Sequence, residues 1–247
     1  MASVTIVWFR HDLRLDDNPA LLAAAARGSV VPVFIWEPEE EAPWQPGAAS
    51  RWWLHHSLLR LAERLEKVGC SLVIRRGPSL KALQQLAKET KATHVVWNRR
   101  YEPAVVKRDT AIKKALTADG LTVESFGGGL LYEPVHVATK QGKPYQVFTP
   151  FWRALLARDE PAEPVAAPRK LQPVTAKPSK SVAVESLGLL PTIDWAGTME
   201  KTWSPGESGA GKRLKSFLAK ALSQYGDGRD RPDHVGTSSL SPHLHFG

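Results

Sequence analysis

The sequence predicts an α/β protein built on a doubly wound, parallel, five-stranded sheet. Five short runs rich in apolar and β-branched residues recur along the first 130 residues, and amphipathic segments of helical length separate them. Such strict alternation favours parallel strands joined by crossover helices. The runs lack polar alternation, as Ser3–Phe9 shows, which is typical of strands buried on both faces.

The elements of this α/β region follow from local signals. The predicted strands are Ser3–Phe9, Val30–Trp36, Ser71–Arg75, Thr93–Asn98 and Leu121–Phe126. The predicted helices are Ala20–Arg27, Ser50–Val68, Ser79–Thr90 and Pro103–Ala118. Asn18-Pro19 and Ser50 are typical helix starts, while Gly28 and Gly69 are typical stops.

The pattern changes after Gly129. Phe148–Arg158 predicts a short helix, and Asp159–Lys180, rich in Pro, Ala and Lys, predicts an extended linker. Glu207–Gln224 predicts an amphipathic helix whose apolar face has no later sequence to cover it. We therefore expect an α/β domain over 1–130, a connector over 131–204 and the truncated start of an all-helical domain over 205–247.

Composition narrows the class of protein. The net charge of +8 favours an acidic partner, of which nucleic acid is the commonest. Cys70 is the single cysteine, so no internal disulfide and no cysteine-type zinc site is expected. No apolar run reaches the length of a membrane span, and the charges that follow Phe9 do not suit a signal peptide. These features predict a cytoplasmic protein without a membrane partner and without a metal site.

The strand ends predict where a ligand lies. In open parallel sheets, ligands bind at the carboxyl ends of the strands. Those ends carry Trp8-Phe9-Arg10, Trp36-Glu37 and Trp97-Asn98-Arg99. The glycine fingerprints of dinucleotide sites and of P-loops are absent from the sequence, so neither standard nucleotide motif applies.

Two charged stretches have alternative interpretations. In Trp8–Asn18, Arg10 and Arg14 could pair internally with Asp12, Asp16 or Asp17, or the loop could contact a ligand. Glu102 could stabilise the N-terminus of the helix that Pro103 opens, or accept hydrogen bonds from a ligand at the mouth of the sheet.

The last stretch, Tyr225–Gly247, has the composition of a phosphate site. Ser241-Pro242 is a typical helix start, with Ser241 as the expected cap. Three hydroxyl residues, 237–239, precede this start and are separated from Ser241 by Leu240. Arg229 could add a fixed positive charge. The alternative is a loop that only caps a helix.

Five ordered stretches resemble the photolyase/cryptochrome family. They are WFRHDLRLDDNPAL, WNRRYEP, PYQVFTPFW, WSPGESGAGKRLKSF and GTSSLSPHLHFG. The resemblance covers essentially the whole chain, as the N-terminal half of such a protein, and is most like a class I cyclobutane pyrimidine dimer photolyase. It implies a Rossmann-like antenna domain followed by a helical domain that binds FAD.

The resemblance implies specific site residues. The expected flavin-binding residues are Tyr225, Arg229, Thr237, Ser238, Ser239, Leu240 and Ser241. Expected contacts for an antenna pigment, either methenyltetrahydrofolate or 8-hydroxy-deazaflavin, are Arg51, Asn98 and Glu102. Arg100 stands where deazaflavin-binding relatives are expected to have an acidic residue, which leaves a folate, or no antenna, open. His11, His55 and His56 are interpreted as surface or packing residues.

The resemblance also implies an activity. Light-excited reduced FAD passes an electron to a pyrimidine dimer flipped out of UV-damaged DNA, and the dimer splits. The catalytic residues of the family and its electron-relay tryptophans are expected beyond Gly247, so the chain alone is expected to be inactive. A cryptochrome-type blue-light photoreceptor without repair activity is the alternative, and a free-standing pigment-binding module is a third. A monomer is expected by analogy.

Overall fold

The computed structural model describes residues 3–176 and 178–247, and its centre is a parallel sheet. The main strands are β1 (Ser3–Phe9), β2 (Gly28–Trp36), β3 (Val73–Arg76), β4 (His94–Asn98) and β5 (Thr122–Phe126). Their order is β3-β2-β1-β4-β5, and all neighbouring pairs are parallel. The predicted doubly wound five-stranded sheet is therefore confirmed.

Alternation along the strands divides the core into two layers. Val7 and Phe9 point to one face of the sheet, where they pack against α1 (Pro19–Arg27) and α2 (Ala48–Lys67). Ile6 and Trp8 point to the other face, where they pack against α3 (Ser79–Thr90) and α4 (Pro103–Ala118). Because both faces are covered, the strands need apolar residues at consecutive positions.

The helix starts agree with the sequence in part. Asn18 caps α1, and its side chain accepts a hydrogen bond from the backbone N–H of Leu21 at 3.1 Å. The prediction that Ser50 caps the second helix is wrong, because α2 starts at Ala48 with Gly47 at the cap position. Ser50 therefore lies within the first turn of α2.

The predicted linker joins the α/β region to the helical part and also contributes residues to the core. After α5 (Phe148–Leu156), the extended chain forms a two-residue strand, β6 (Gln172–Pro173), beside the amino half of β2. The side chain of Leu171 is 1% exposed and belongs to the core layer of α1 and α2. Lys177 of the predicted linker lies outside the described residues. The predicted domain limits at 130 and 204 stay a prediction.

The C-terminal part is helical. It contains α6 (Gly197–Thr202), α7 (Glu207–Lys220), α8 (Tyr225–Gly228) and α9 (Ser241–Phe246). The predicted helix over Glu207–Gln224 ends earlier, at Lys220, and a 3-10 turn covers Leu222–Gln224.

Contacts from Glu207 and from Phe246 fasten this helical part to the α/β region. The carboxylate of Glu207 accepts hydrogen bonds from the backbone N–H groups of Leu15 and Asp16, at 3.1 and 3.0 Å, and pairs with Arg64. At the other end, the backbone N–H of Leu13 donates to the carbonyl of Phe246 at 2.9 Å. The loop after β1 is therefore held by both α7 and α9.

Candidate functional site

A cavity of about 350 Å³ opens at the carboxyl ends of β1 and β2. The loop that follows β2 and the start of α4 form its other walls. Its lining combines aromatic and charged side chains, among them Trp8, Arg10, Trp36, Glu41, Arg100 and Glu102. The volume is at the lower end of the range for small-molecule sites, and its place in the sheet is the one predicted from the strand ends.

Arg10 forms the charged floor of this cavity. Its side chain is 5% exposed, and its guanidinium donates to the carboxylate of Asp109 and to the carbonyl of Asn98. The guanidinium carbon lies 4.8 Å from the centroid of Trp8 and 5.9 Å from that of Trp97. Burial lowers the pKa of Arg10, while the charge of Asp109 opposes this shift.

The predicted internal pairing of the loop after β1 is wrong for its two arginines. From Arg10, Asp12 accepts the backbone N–H, at 2.8 Å, because the guanidinium extends to Asp109 on α4. The Arg14 guanidinium donates to the backbone carbonyls of Asp16, Asp17 and Gly128. The loop is thus stabilised mainly by contacts to backbone carbonyls and to a distant carboxylate.

Asn98 is occupied by contacts within the protein. Its amide donates to Asp12 at 2.6 Å and to the side chain of Asn18 at 2.8 Å, and its oxygen accepts the N–H of Ala20 at 3.1 Å. The residue is 3% exposed. These bonds join the end of β4 to the start of α1, and the expected contact with an antenna pigment stays a prediction.

Glu102 and Arg100 form a charged clasp at the cavity wall. The Arg100 guanidinium donates to Glu102, at 2.8 Å, and to Glu41 of the 3-10 turn Pro38–Glu41. Partial burial opposes ionisation of Glu102, but the hydrogen bonds from Arg100 and from the backbone outweigh it and lower the pKa of Glu102 to about 2. The carboxylate is therefore ionised at neutral pH, and its hydrogen-bond partners are groups of the protein itself.

Arg51 lies near the cavity but does not line it. Arg51 is an exposed residue of α2, and its Nε donates to the carbonyl of Pro46 at 2.9 Å. Its neighbour Ser50 and the carbonyl-bearing Pro46 both line the cavity. Arg51 therefore holds the loop that forms one wall.

His11 lines the cavity beside α9, a position that the sequence did not indicate. Its ring lies 4.7 Å from that of His245 and 5.5 Å from that of Phe246. Burial, together with the nearby positive charge of Arg100, lowers the pKa of His11 to about 3. Its interpretation as a surface or packing residue fits these ring contacts. The other two histidines also pack, since His56 lies 4.4 Å from Trp52 and 5.1 Å from His55 between ring centroids.

The expected flavin-binding residues form two segments that meet at a pair of glycines. Tyr225 begins α8 and Arg229 follows its last residue, and residues 237–241, four of which carry hydroxyls, follow Gly236. A Cβ added to Gly236 would overlap the backbone oxygen of Gly228, so the two segments touch through their backbones. Tyr225 and Arg229 are exposed, as are Thr237 and Ser241.

The start of α9 differs by one residue from the sequence prediction. The helix begins at Ser241, with Leu240 at the cap position and no side-chain cap. The assignment of Ser241 as the cap is therefore wrong. Ser239 adopts a left-handed backbone conformation with φ 50°, which turns the chain into the helix. Leu240 thereby takes the position that the Ser-Pro pattern assigned to Ser241.

Glu41 and Arg108 are lining residues that the sequence did not single out. Glu41 reaches the site through a 3-10 turn, and Arg108 lies 5.1 Å from the centroid of Trp8. Only the tertiary fold brings these groups to the strand ends. Among residues 3–176 and 178–247, no group of three or more His, Cys, Asp or Glu could hold a metal ion. Within the same ranges, no helix is long and apolar enough to cross a membrane.

Comparison with known proteins identifies similar chains. The family model described as DNA photolyase matches residues 5–169. The chain is 49% identical to a deoxyribodipyrimidine photo-lyase of Agrobacterium fabrum over 98% of its own length and 50% of that protein. It is 40% identical to cryptochrome-2 of Arabidopsis thaliana, over 100% of its own length and 41% of that protein.

A solved structure agrees with these sequence matches. A bacterial class III photolyase from Agrobacterium tumefaciens superposes with a TM-score of 0.93 at 48% identity, over 99% of this chain and 50% of that one. The expected class I likeness stays a prediction, since this similar structure is of class III. The chain spans about half the length of the photolyases that it matches. With the family model covering most of its length, the chain belongs to the DNA photolyase family.

Proposed function

We propose that the chain forms the pigment-binding region and the first flavin-binding segment of an enzyme that repairs cyclobutane pyrimidine dimers in DNA with light. The cavity at the strand ends is the observation that carries the proposal, because all of its lining except His245 and Phe246 lies in residues 5–169, which the family model matches. FAD, when bound, supplies the electron that splits the dimer. The substrate is UV-damaged DNA.

The cavity is suited to an antenna pigment. Trp36 and the exposed Trp44 offer flat apolar surfaces for a conjugated ring, and the Arg100–Glu102 clasp offers fixed charges. Arg100 stands at the position where an acidic residue is expected for a deazaflavin. We therefore place methenyltetrahydrofolate before 8-hydroxy-deazaflavin as the pigment.

Pigment binding can be tested on the chain itself. Each pigment is added separately, and retention is measured by equilibrium dialysis with absorbance of the bound chromophore. Ala104→Phe places a ring in the cavity and is expected to abolish retention, while Glu63→Gln, on the exposed side of α2, is the matched control. Retention that is unchanged in Ala104→Phe would contradict this site.

Arg51, Asn98 and Glu102 have different expected effects. Glu102→Gln removes the charge that Arg100 engages and is expected to weaken pigment binding several-fold. Arg51→Ala is expected to act through the Pro46 loop, and Asn98→Ala through the position of α1. Thermal unfolding is measured without pigment. A variant that acts indirectly lowers the stability of the pigment-free chain, whereas loss of a direct pigment contact leaves that stability unchanged.

For FAD, we propose that Thr237, Ser238, Ser239, Leu240 and Ser241 hold the pyrophosphate, with Tyr225 and Arg229 beside it. Backbone contact between Gly228 and Gly236 brings the two segments together, which supports a common ligand. Hydroxyl and backbone N–H groups donate to phosphate oxygens, and Arg229 can neutralise their charge. The expected cofactors are thus FAD and one antenna pigment.

Equilibrium dialysis with FAD tests the flavin segment. Thr237→Ala/Ser241→Ala is expected to reduce retention, whereas Thr202→Ala, an exposed hydroxyl bonded to its own helix, is expected to leave it unchanged. Equal loss in both variants, or equal retention, would contradict the assignment of residues 237–241.

The second candidate is a blue-light photoreceptor of cryptochrome type, favoured by the 40% identity to cryptochrome-2 along the whole chain. Both candidates use FAD, but a repair protein must bind dimer-containing DNA. Affinity for a duplex with one dimer is compared with affinity for the undamaged duplex over a range of salt concentrations. A preference for the dimer, with affinity that falls as salt rises, supports repair, and no preference favours the photoreceptor.

A further inference from the structure

The C-terminal helix α9 rests on α2 around a very small cavity. The cavity has a volume of about 10 Å³, and it is lined by Trp53 and Ser57 of α2, by His243 and Phe246 of α9, and by parts of three loops. This is the size that a single water molecule requires. Phe246 separates this cavity from the large site at the strand ends, since it lines both.

Three residues of its lining bring buried polar atoms that have no hydrogen-bond partner among the described residues. They are the indole Nε1 of Trp53, the hydroxyl Oγ of Ser57 and the imidazole Nε2 of His243. The side chains are 3%, 1% and 4% exposed, respectively. A buried polar group without a partner costs about 1–3 kcal/mol, so three such groups around one cavity call for an unseen partner.

We propose that this cavity is a binding site for one internal water molecule, which joins α9 to α2 through Trp53, Ser57 and His243. The indole N–H donates to the water, and the water donates to the Nε2 of His243. The Ser57 hydroxyl completes the set as donor or acceptor. Three hydrogen bonds are the usual number for a buried water.

The protonation state of His243 agrees with this arrangement. Burial, and then the positive charge of Arg213, lower the pKa of His243. The imidazole is therefore neutral at pH 7, and with its proton on Nδ1 the Nε2 atom is free to accept. Trp53 and Trp203 pack around the ring, with centroids 4.9 and 6.4 Å from it.

The water has a structural consequence for the segment before α9. Residues 237–241 lead directly into this helix, so a water that fastens the helix to α2 also fixes one end of the segment that we assign to FAD. His243 and Ser57 are positioning residues in this scheme. The water site itself does not depend on the flavin proposal and can be tested without flavin.

Nuclear magnetic resonance of the chain labelled with ¹⁵N-tryptophan and ¹⁵N-histidine tests the site directly. We expect a cross-peak between water and the indole N–H of Trp53, together with the ¹⁵N shift of an unprotonated Nε2 for His243. Trp52 provides an internal control, because its buried indole Nε1 also lacks a partner but lines no described cavity. Resolved signals without a water cross-peak for Trp53, or an Nε2 that carries the proton, would overturn the proposal.

A pair of variants tests the link to α9. Ser57→Val fills the cavity with a methyl group and removes the hydroxyl, and Ser216→Val makes the same change at an exposed position of α7, away from the cavity. The reporter is amide exchange at Leu13, whose N–H is bonded to the carbonyl of Phe246. We expect about five-fold faster exchange in Ser57→Val with loss of the water cross-peak, and equal exchange in the two variants would contradict the linkage.

Discussion

The α/β region and the helical C-terminal part bury their apolar residues to very different degrees. In α2, Leu58, Leu61 and Leu65 are at most 2% exposed. In α7 and the turn after it, Leu214, Leu218 and Leu222 are 44–53% exposed. Both segments have helical periodicity, so the pattern in the sequence does not distinguish a covered face from an uncovered one.

This difference separates the two proposed ligand sites. Most walls of the pigment cavity belong to elements with complete cores, and α9 adds only His245 and Phe246, so most of the cavity can be preformed. The flavin segment is held by a few contacts instead, chiefly Glu207, Phe246 and the Gly228–Gly236 approach. We therefore expect single substitutions to damage the first region through its overall stability and the second through local opening.

The largest effect is expected for Asp109→Ala in the α/β region. The substitution leaves the Arg10 guanidinium buried without its carboxylate, and breaking a buried ion pair in this way costs about 3–5 kcal/mol. Urea denaturation measures the loss. Asp119→Ala, an exposed carboxylate on the residue after the same helix, is the control, and a loss below about 1 kcal/mol in Asp109→Ala would contradict the role given to the pair.

Phe246→Ala is expected to release α9 while the α/β region stays folded. The side chain is 6% exposed, and its removal costs up to about 3 kcal/mol of docking free energy, or about a hundred-fold in the exchange rate of the Leu13 amide. Leu244→Ala, at a position 77% exposed, removes an apolar side chain from the same helix and should leave that rate unchanged. A global loss of stability in Phe246→Ala would show that the two regions unfold together.

Gly236→Ala is expected to separate the two flavin segments. The new methyl group would overlap the Gly228 backbone, and overpacking of this kind costs about 1–3 kcal/mol. Gly211→Ala is the matched control, because a Cβ there meets nothing within 4 Å and alanine favours the helix. Reduced FAD retention in Gly236→Ala alone is the expected result in dialysis, and undiminished retention would show that the contact does not shape the site.

Acid is expected to destabilise the contact between the two regions through His11. Its pKa is lowered to about 3 in the folded chain and is about 6.5 when unfolded, so the unfolded state binds more protons between these values. Stability therefore falls as the pH drops from 6.5 toward 3, by at most about 2 kcal/mol at pH 5 from this residue. Urea unfolding of the wild type and of His11→Asn at pH 7 and pH 5 measures the difference. An equal fall in both proteins would contradict the assignment.

The sequence was sufficient to predict the sheet and its helices, because apolar runs and helix-start residues are local signals. The apolar runs and the Asn18-Pro19 and Pro103 helix starts were confirmed, and Ser79–Thr90 and Pro103–Ala118 were placed with their observed bounds. The partners of the arginines were not predictable, because Arg10 reaches Asp109, 99 positions away. Glu41 and His245 enter their sites only through tertiary packing, and no spacing in the chain indicates this.

A substitution on the exposed face of α7 is expected to have the smallest effect on stability. It tests directly whether the apolar face of α7 is uncovered, in contrast to that of α2. Leu218 is 53% exposed, so Leu218→Lys removes almost no buried contact and should change the unfolding free energy by less than about 0.5 kcal/mol. A larger loss, especially one that grows with protein concentration in sedimentation and denaturation experiments, would mean that a second molecule covers this face. The expected monomer would then be wrong, and α7 would resemble α2 in having a partner.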